Sequence, residues 1–470
     1  MVLVLSSEIK LQINNPLVEV LVVEPGLVSQ AVLDIAGMDR HVVAIYEGAW
    51  SDYPNIRRLL SKNGANPYLY MPIDPVEFKY TGLRPEDLVI AKYLSHRLSK
   101  ARQAHATMSH SKEVDRRTLI TRALRSLLEY HNIPVLSNPG ICANRKHCHN
   151  CMNVCPYDAV EGKPPLINPD KCTGCGVCTW TCPYELLKPV NGDFDSYEVL
   201  VSFYGKKKTN VDKILIHVEY SMLPGIREDF LDTARKYGDI WIYPVEGIGA
   251  VSPFHLLLAL ESGIIPILVA PSQSITWKYT ELYERAGAII VQPNDNASLE
   301  RSLKTYEYEI DKTSNLEGPR RIQLLLGIPS DSIDFGDLPI IGMIGVSDEC
   351  TLCGACVNSC PTGALKLKEA GDSVELVFYH LRCIACHECL GVCPVDAVSI
   401  DYRMEKKSLM KEKVLVRDET ARCVRCGRSI GSKRMIRYIE ETLLAKGLPR
   451  EVVERVWLCE ECKARSKLVV

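Results

Sequence analysis

The stretch Cys350-Thr-Leu-Cys353-Gly-Ala-Cys356-Val-Asn-Ser-Cys360-Pro361 decides how this chain is read. Its four cysteines are spaced C-x2-C-x2-C-x3-C and closed by a proline. The same spacing returns at Cys383/Cys386/Cys389/Cys393 before Pro394, and at Cys172/Cys175/Cys178/Cys182 before Pro183. A further run, Cys142/Cys148/Cys151/Cys155 before Pro156, keeps the ending but opens C-x5-C. The chain has 20 cysteines, and those outside the four runs form two Cys-x2-Cys pairs, Cys423/Cys426 and Cys459/Cys462. No thiol is left over.

Three thiolates two residues apart wrap one corner of an iron–sulfur cube, and in two-cluster ferredoxins the fourth ligand comes from the companion run. On that rule Cys142, Cys148, Cys151 and Cys182 hold one [4Fe–4S] cluster, and Cys172, Cys175, Cys178 and Cys155 a second. Cys350, Cys353, Cys356 and Cys393 hold a third, and Cys383, Cys386, Cys389 and Cys360 a fourth. Small residues between ligands (Gly174, Gly176, Gly354, Ala355, Ala385) let backbone N–H groups turn toward the sulfurs. Each closing proline fixes φ where the chain leaves the site. Zinc ribbons or disulfides would use cysteine pairs, not four-cysteine runs ending in proline. For the C-x5-C run, Cys142 either ligates across a bulged loop or leaves a three-iron or absent cluster; ligation is expected, because the rest of the run is intact. His147, His149 and His387 lie beside or inside the runs and are read as surface imidazoles near sulfur rather than as ligands.

The two Cys-x2-Cys pairs stand apart from this pattern. With a helix expected at Met435–Lys446 between them, they fit a structural four-cysteine zinc site, Cys423, Cys426, Cys459 and Cys462. A mononuclear rubredoxin-like iron centre is the rival, since knuckles alone do not choose the metal. A redox-inert staple suits a small domain with little core, so zinc is the expectation.

Composition is that of a globular protein, 46% apolar and 24% charged, with room for several domains at 470 residues. The N-terminus has no basic region and too short an apolar run for a signal peptide. The most apolar later stretch, Ile248 to Pro271, is interrupted by His255, Glu261 and Pro266 and is no membrane span. Together with thiols placed for metal, this gives the expectation of a cytoplasmic location. The formal charge of −2 hides an asymmetry. Residues 403–470 carry 18 Lys+Arg against 10 Asp+Glu, and the remainder 38 against 48. Four clusters and one zinc site, each near −2 with its thiolates, would bring the loaded protein to about −12. The basic tail is suited to an acidic partner, nucleic acid or this protein's own acidic body. Its Lys and Arg are dispersed and its aromatics few, so nucleic acid is not the expectation.

Alternating β and α signals flank the cysteine runs. Val18–Glu24 and His41–Tyr46 read as buried parallel strands, each followed by a helix, Val28–Met38 and Tyr53–Lys62. The first β–α turn, Glu24-Pro-Gly-Leu, lacks G-x-G-x-x-G. Two long helices are expected around Pro85–Gln103 and Val114–His131. A second block has strands at Ile214–Val218, Ile240–Tyr243, Ile264–Ala270 and Ala288–Val291, and a helix over Ser252–Ser262 started by Ser-Pro. The expected fold is multidomain α/β plus α+β. Residues 1–135 form an α/β domain with trailing helices, 136–190 a bacterial-type dicluster ferredoxin module, and 191–335 a second α/β domain. A second dicluster module at 336–402 and a zinc-ribbon-like knuckle domain at 403–470 follow. Both α/β domains are expected to lack a cofactor.

The middle segment, Tyr243-Pro-Val-Glu-Gly-Ile-Gly-Ala-Val-Ser-Pro-Phe-His-Leu-Leu-Leu-Ala-Leu-Glu261 with Ile267-Leu-Val-Ala270, resembles the delta subunit of methyl-viologen-reducing hydrogenase. The order of parts is also similar to the A component of heterodisulfide reductase. The resemblance implies an archaeal fusion of ferredoxin modules with a hydrogenase-delta-like domain, working with other subunits of a redox complex. Two departures qualify it. The delta family holds a [2Fe–2S] cluster by cysteines after a strand, where this chain has Gly247 and Ala270-Pro-Ser. The flavin-binding glycine fingerprint of the reductase component is missing too. The resulting expectation is a non-catalytic electron-transfer subunit with no catalytic residues and no small-molecule substrate site. Electrons would pass between the two modules across the central block. A flavin- or nucleotide-linked oxidoreductase and a redox-sensing nucleic-acid-binding protein are the alternatives.

Overall fold

The computed structural model describes residues 2–11, 13, 18–38, 40–98, 133–190, 193–206, 212–272, 274, 279–308, 319–409 and 411–465. The chain falls into two compact units. One comprises Met1–Asn144, Asn150–Ser314 and Leu324–Pro329; the other Arg145–His149, Asn315–Gln323 and Ser330–Val470. The helix expected at Val114–His131 lies outside the described residues. Among those described, no helix is long and apolar enough to cross a membrane.

The first unit holds two parallel sheets. In the first sheet β1 (Val2–Ser6), β2 (Glu19–Val23), β3 (Val42–Ile45) and β4 (Tyr70–Ile73) run in the order β2-β1-β3-β4. Helices α1 (Val28–Gly37) and α2 (Ala49–Lys62) make the crossovers. Buried positions Ala49, Trp50, Tyr53, Ile56 and Leu60 recur at helical spacing on α2 and turn one face to the sheet. Helix α3 (Pro85–Leu98) follows. Two sequence expectations change here. The apolar run Val2-Leu-Val-Leu-Ser6 is a fully buried inner strand that the expected strand pattern does not include. The Glu19–Val23 strand exists, but it is the sheet edge, and Val20, Leu21 and Val22 are exposed rather than buried.

The second sheet follows α4 (Phe194–Lys206). It contains β5 (Lys213–Glu219), β6 (Asp239–Val245), β7 (Ile264–Val269) and β8 (Ile289–Val291), in the order β6-β5-β7-β8. Relative to the chain this is the order of the first sheet again. Its strands are buried along nearly their whole length, as parallel strands covered on both faces must be. Helix α5 (Glu228–Arg235) opens with Glu228 and Asp229 and ends on Arg235, which suits its dipole. Helix α6 (Pro253–Glu261) starts with a capping box in which Ser252 and His255 satisfy each other's end groups.

Residues of both sheets share one apolar core, from Val2, Val4 and Val42 to Ile214, Ile240 and Ile267. Polar links run through it. Arg57 pairs with Glu246 at 2.5 Å, and the Glu246 side chain is only 6% exposed. Tyr53 donates to the same carboxylate and stacks on Tyr220. Within the first half, Lys92 pairs with Glu77, both essentially without solvent contact, and Trp50 Nε1 donates to Glu77 at 3.3 Å.

In the second unit β9 (Met343–Val346) pairs antiparallel with β12 (Val398–Asp401), so the two ends of the Cys350–Cys393 segment meet. Between them β10 (Leu365–Ala370) and β11 (Ser373–Phe378) form a hairpin. That hairpin continues into β13 (Lys413–Arg422) and β14 (Ser429–Ser432), giving one four-stranded sheet, β10-β11-β13-β14. The tail is therefore built onto the second cysteine-run segment by shared strands. Helix α7 (Lys433–Ala445) takes the place of the expected Met435–Lys446, starting two residues earlier and ending one residue short, with Lys446 as its C-cap. The first cysteine-run segment is closed in the same way as the second, by pairing Val135–Leu136 with Leu187–Lys188 and Val160–Glu161 with Leu166–Ile167.

Candidate metal centres

Backbone shape explains the cysteine spacing. In Cys350-Thr-Leu-Cys353-Gly-Ala-Cys356, Leu352 and Gly354 have φ of +56° and +77°. The equivalent pairs are Gly174 and Gly176, at +70° and +75°, and Ala385 and His387, at +50° and +64°. Two left-handed residues flank the middle cysteine in every case. They curl the loop so that successive side chains face one point and backbone N–H groups face inward. Leu352 N donates to Cys350 Sγ at 3.4 Å. Holding Leu352 and Ala385, which are not glycine, in this region costs roughly 1–2 kcal/mol each. Both are buried, and the surrounding packing maintains them.

A second repeat follows each run. Asp158, Glu185, Gly363 and Asp396 stand three residues after the last cysteine, all with positive φ. The next N–H then reaches back to the sulfur: Ala159 to Cys155 at 3.3 Å, Ala364 to Cys360 at 3.2 Å and Ala397 to Cys393 at 3.3 Å. Sequence reasoning missed these donors, although the recurring Cys-Pro-x-x-Ala at 155, 360 and 393 is a signal that could have found them. Such N–H···S bonds stabilise the more negative reduced cluster and raise its potential.

The structure also shows which thiols lie together. Burial pushes the Cys356 thiol up to about 12, and the sulfurs acting on it are Cys350, Cys353 and Cys393. Cys383 is likewise pushed to about 12 by burial, with Cys386 and Cys360 beside it. Cys389 is raised by burial and by Cys383, Cys386 and Cys360 among others. Burial raises Cys178, which is surrounded by Cys175, Cys151, Cys172 and Cys155. Burial also raises Cys142, near Lys163 and Cys182. The last cysteine of a run thus meets the companion triplet at the three regular runs, and Cys182 lies near Cys142 of the fourth. Cys148 is buried. The C-x5-C run differs locally, since Cys142 sits on a short helix, Pro139–Ala143, and no left-handed residue flanks its middle cysteine, Cys148.

Cys350, Cys353, Cys356 and Cys393 line a small cavity of about 20 Å³, walled by Leu367, Leu376 and Val398. Four convergent sulfurs on apolar walls are a donor set suited to a cubane cluster. In the tail the four Sγ atoms of Cys423, Cys426, Cys459 and Cys462 lie within 4.8 Å of one another, with Cys426 and Cys459 3.5 Å apart. A tetrahedral S4 zinc site with Zn–S near 2.3 Å has sulfurs roughly 3.8 Å apart. This set can take zinc or iron.

His387 is half-buried and its Nε2 lies 2.6 Å from the Tyr402 hydroxyl. The carboxyl end of β6, where doubly wound sheets present ligands, is covered by the first cysteine-run segment. Trp180 Nε1 donates to Gly249 O at 3.1 Å, and a Cβ on Gly176 would stand 2.5 Å from Ala250 Cα.

Two regions match 4Fe-4S dicluster domain families, residues 134–195 and 349–397. The chain is 40% identical over 58 residues to "Ferredoxin-2" of Chlorobaculum tepidum, covering 89% of that protein and 11% of this one. The chain belongs to the ferredoxin family. A stretch of 42 residues is also similar to "Ferredoxin" of Rickettsia felis, at 50% identity over 8% of this chain and 38% of that protein. A third relative is the B component of the Na(+)-translocating ferredoxin:NAD(+) oxidoreductase complex of Acetobacterium woodii, at 33% identity over 14% of this chain and 19% of that protein. The chain thus spans well under half the length of these last two. Two dicluster ferredoxin domains make this an iron–sulfur electron-transfer protein.

Proposed function

We propose that the chain is a relay carrying four [4Fe–4S] clusters, working as one subunit of a heterodisulfide-reductase- or hydrogenase-like complex. The ligand sets are Cys142, Cys148, Cys151 and Cys182; Cys172, Cys175, Cys178 and Cys155; Cys350, Cys353, Cys356 and Cys393; and Cys383, Cys386, Cys389 and Cys360. The observation that carries this reading is the meeting of the three regular triplets with the final cysteine of the companion run, on loops bent by paired left-handed residues. Zinc in the S4 site is the favoured metal there. The likeness to one component of a larger redox complex supports partner subunits.

Anaerobically reconstituted protein is expected to hold about 16 iron and 16 sulfide per chain, with one zinc, as four thiolate-bound cubanes and an S4 site require. Fewer than about eight iron would overturn it, being less than two cubanes' worth. Dithionite reduction should give interacting [4Fe–4S]+ signals by electron paramagnetic resonance.

A further inference from the structure

We infer that the tail's S4 centre is the clamp for one cluster, that of Cys350, Cys353, Cys356 and Cys393, and that Ser432 and Arg434 transmit its grip. The inference rests on the cluster and S4 assignments above.

The two sites are joined by a short path. Cys423 and Cys426 lie in the turn between β13 and β14, so a metal there closes that hairpin, with Cys459 and Cys462 pinning it from the chain's end. Within the hairpin Ala421 pairs with Gly431 and Thr420 with Ser432. Gly427, at φ +74°, makes the turn, and Cys423 N donates to Arg428 O at 2.8 Å.

At the far end of β14, Ser432 is 1% exposed. Its Oγ accepts from Met435 N at 3.1 Å, capping α7, and donates to the Thr351 carbonyl at 3.1 Å. Thr351 is the residue after Cys350. Two residues on, Arg434 donates from Nη1 to the Asp348 carbonyl at 3.2 Å, two residues before Cys350. Its backbone N–H is fixed by Asp418 of β13 at 2.7 Å. The tail therefore holds the ligand loop by two carbonyls, one on each side of Cys350, and brings the Arg434 guanidinium, itself 3.9 Å from the Asp418 carboxylate, to that segment.

Two consequences follow from ordinary electrostatics and mechanics. A positive charge beside a ligand sulfur stabilises the reduced cluster and keeps its potential up. An untethered loop around Cys350 gives up iron faster. Ser432 and Arg434 are positioning residues in this scheme, and the S4 metal is what fixes them.

The test uses full-length, anaerobically reconstituted protein and a small set of variants. Cys353→Ser first identifies which signal belongs to this cluster. In Arg434→Gln that cluster's midpoint should shift to lower potential, with Arg434→Lys restoring most of it and the other three midpoints unmoved. Cys426→Ser, which removes the exposed S4 ligand, should lose the S4 metal and release this cluster's iron to a chelator several-fold faster. Ser432→Ala, which leaves the S4 ligands in place, should release it at an intermediate rate. A Cys426→Ser protein without its S4 metal, yet with unchanged midpoints and iron release, would overturn the clamp. So would an Arg434→Gln shift spread over all four clusters. A wild-type chain short of four clusters, or holding no S4 metal, would instead fault the underlying assignments.

Discussion

Single residues set the terms on which each site is built. Lys92 and Glu77 form an ion pair without solvent contact, with Trp50 donating to the carboxylate. Burial pushes the Glu77 carboxyl up and the Lys92 amine down, so each ion depends on the other. Lys92→Ala should lower stability by about 3–5 kcal/mol, while the paired change Glu77→Leu with Lys92→Met should lose far less. Calorimetric unfolding of the three proteins checks this. His217 makes a second case. Its Nδ1 lies 3.0 Å from the Ile267 carbonyl and its Nε2 2.9 Å from the Tyr197 hydroxyl, so the ring is a neutral donor–acceptor. Desolvation brings it down to about 4 from an ordinary 6.5. The unfolded chain then takes up a proton that the folded chain refuses. Stability should fall as pH drops from the ordinary value toward about 4, by up to about 3 kcal/mol for this group. His217→Gln should flatten that part of the stability–pH curve, measured by urea unfolding.

At the level of elements, one ligand loop occurs three times in different surroundings, and that contrast can be measured. Gly176 and Gly354 hold the same place in their runs with nearly the same φ. A methyl group on Gly354 meets the flexible end of Leu367 at 3.0 Å, whereas one on Gly176 meets Ala250 backbone at 2.5 Å. Gly354→Ala should carry mainly the left-handed penalty of about 1 kcal/mol. Gly176→Ala should also lift its loop off residues 249–250 and lose more iron in a timed chelator challenge. The cysteine runs are legible in the sequence because their spacing is the one a cube requires, and β5–β8 because parallel strands buried on both faces are continuous apolar runs. That β2 is an edge is not legible, since Val20-Leu-Val-Val23 reads the same whether it is covered or not. Nor is the covering of the loop after β6. That depends on Trp180, sixty-nine residues away in sequence from its acceptor Gly249. The missed strand β1 has a plainer cause: Val2–Ser6 is a short apolar run without alternation, which periodicity alone does not assign to a strand.

For the whole molecule, the sheet β10-β11-β13-β14 matters most. It runs from inside the second ferredoxin domain into the tail, so the domain's sequence limits and its physical limits differ. A chain ended at Asp401 keeps every ligand of the second domain but uncovers the β11 edge, with Val374, Leu376 and Phe378 along it. Such an edge invites pairing with other chains. That shortened protein should form soluble aggregates by light scattering under conditions where the full chain scatters as a single species. The same sheet bears on the order of events during synthesis. Domains generally fold as they leave the ribosome, N-terminal parts first. The first ferredoxin domain has its own closing strand pair, Val135–Leu136 with Leu187–Lys188. The second has all its thiols once Cys393 has emerged, yet it waits for β13, β14 and finally Cys459 and Cys462 before its sheet and tail are closed. Iron bound before β13, β14 and the Cys459/Cys462 pair are in place would sit in an unfinished domain, so completion of the tail sets when that site can hold its cluster.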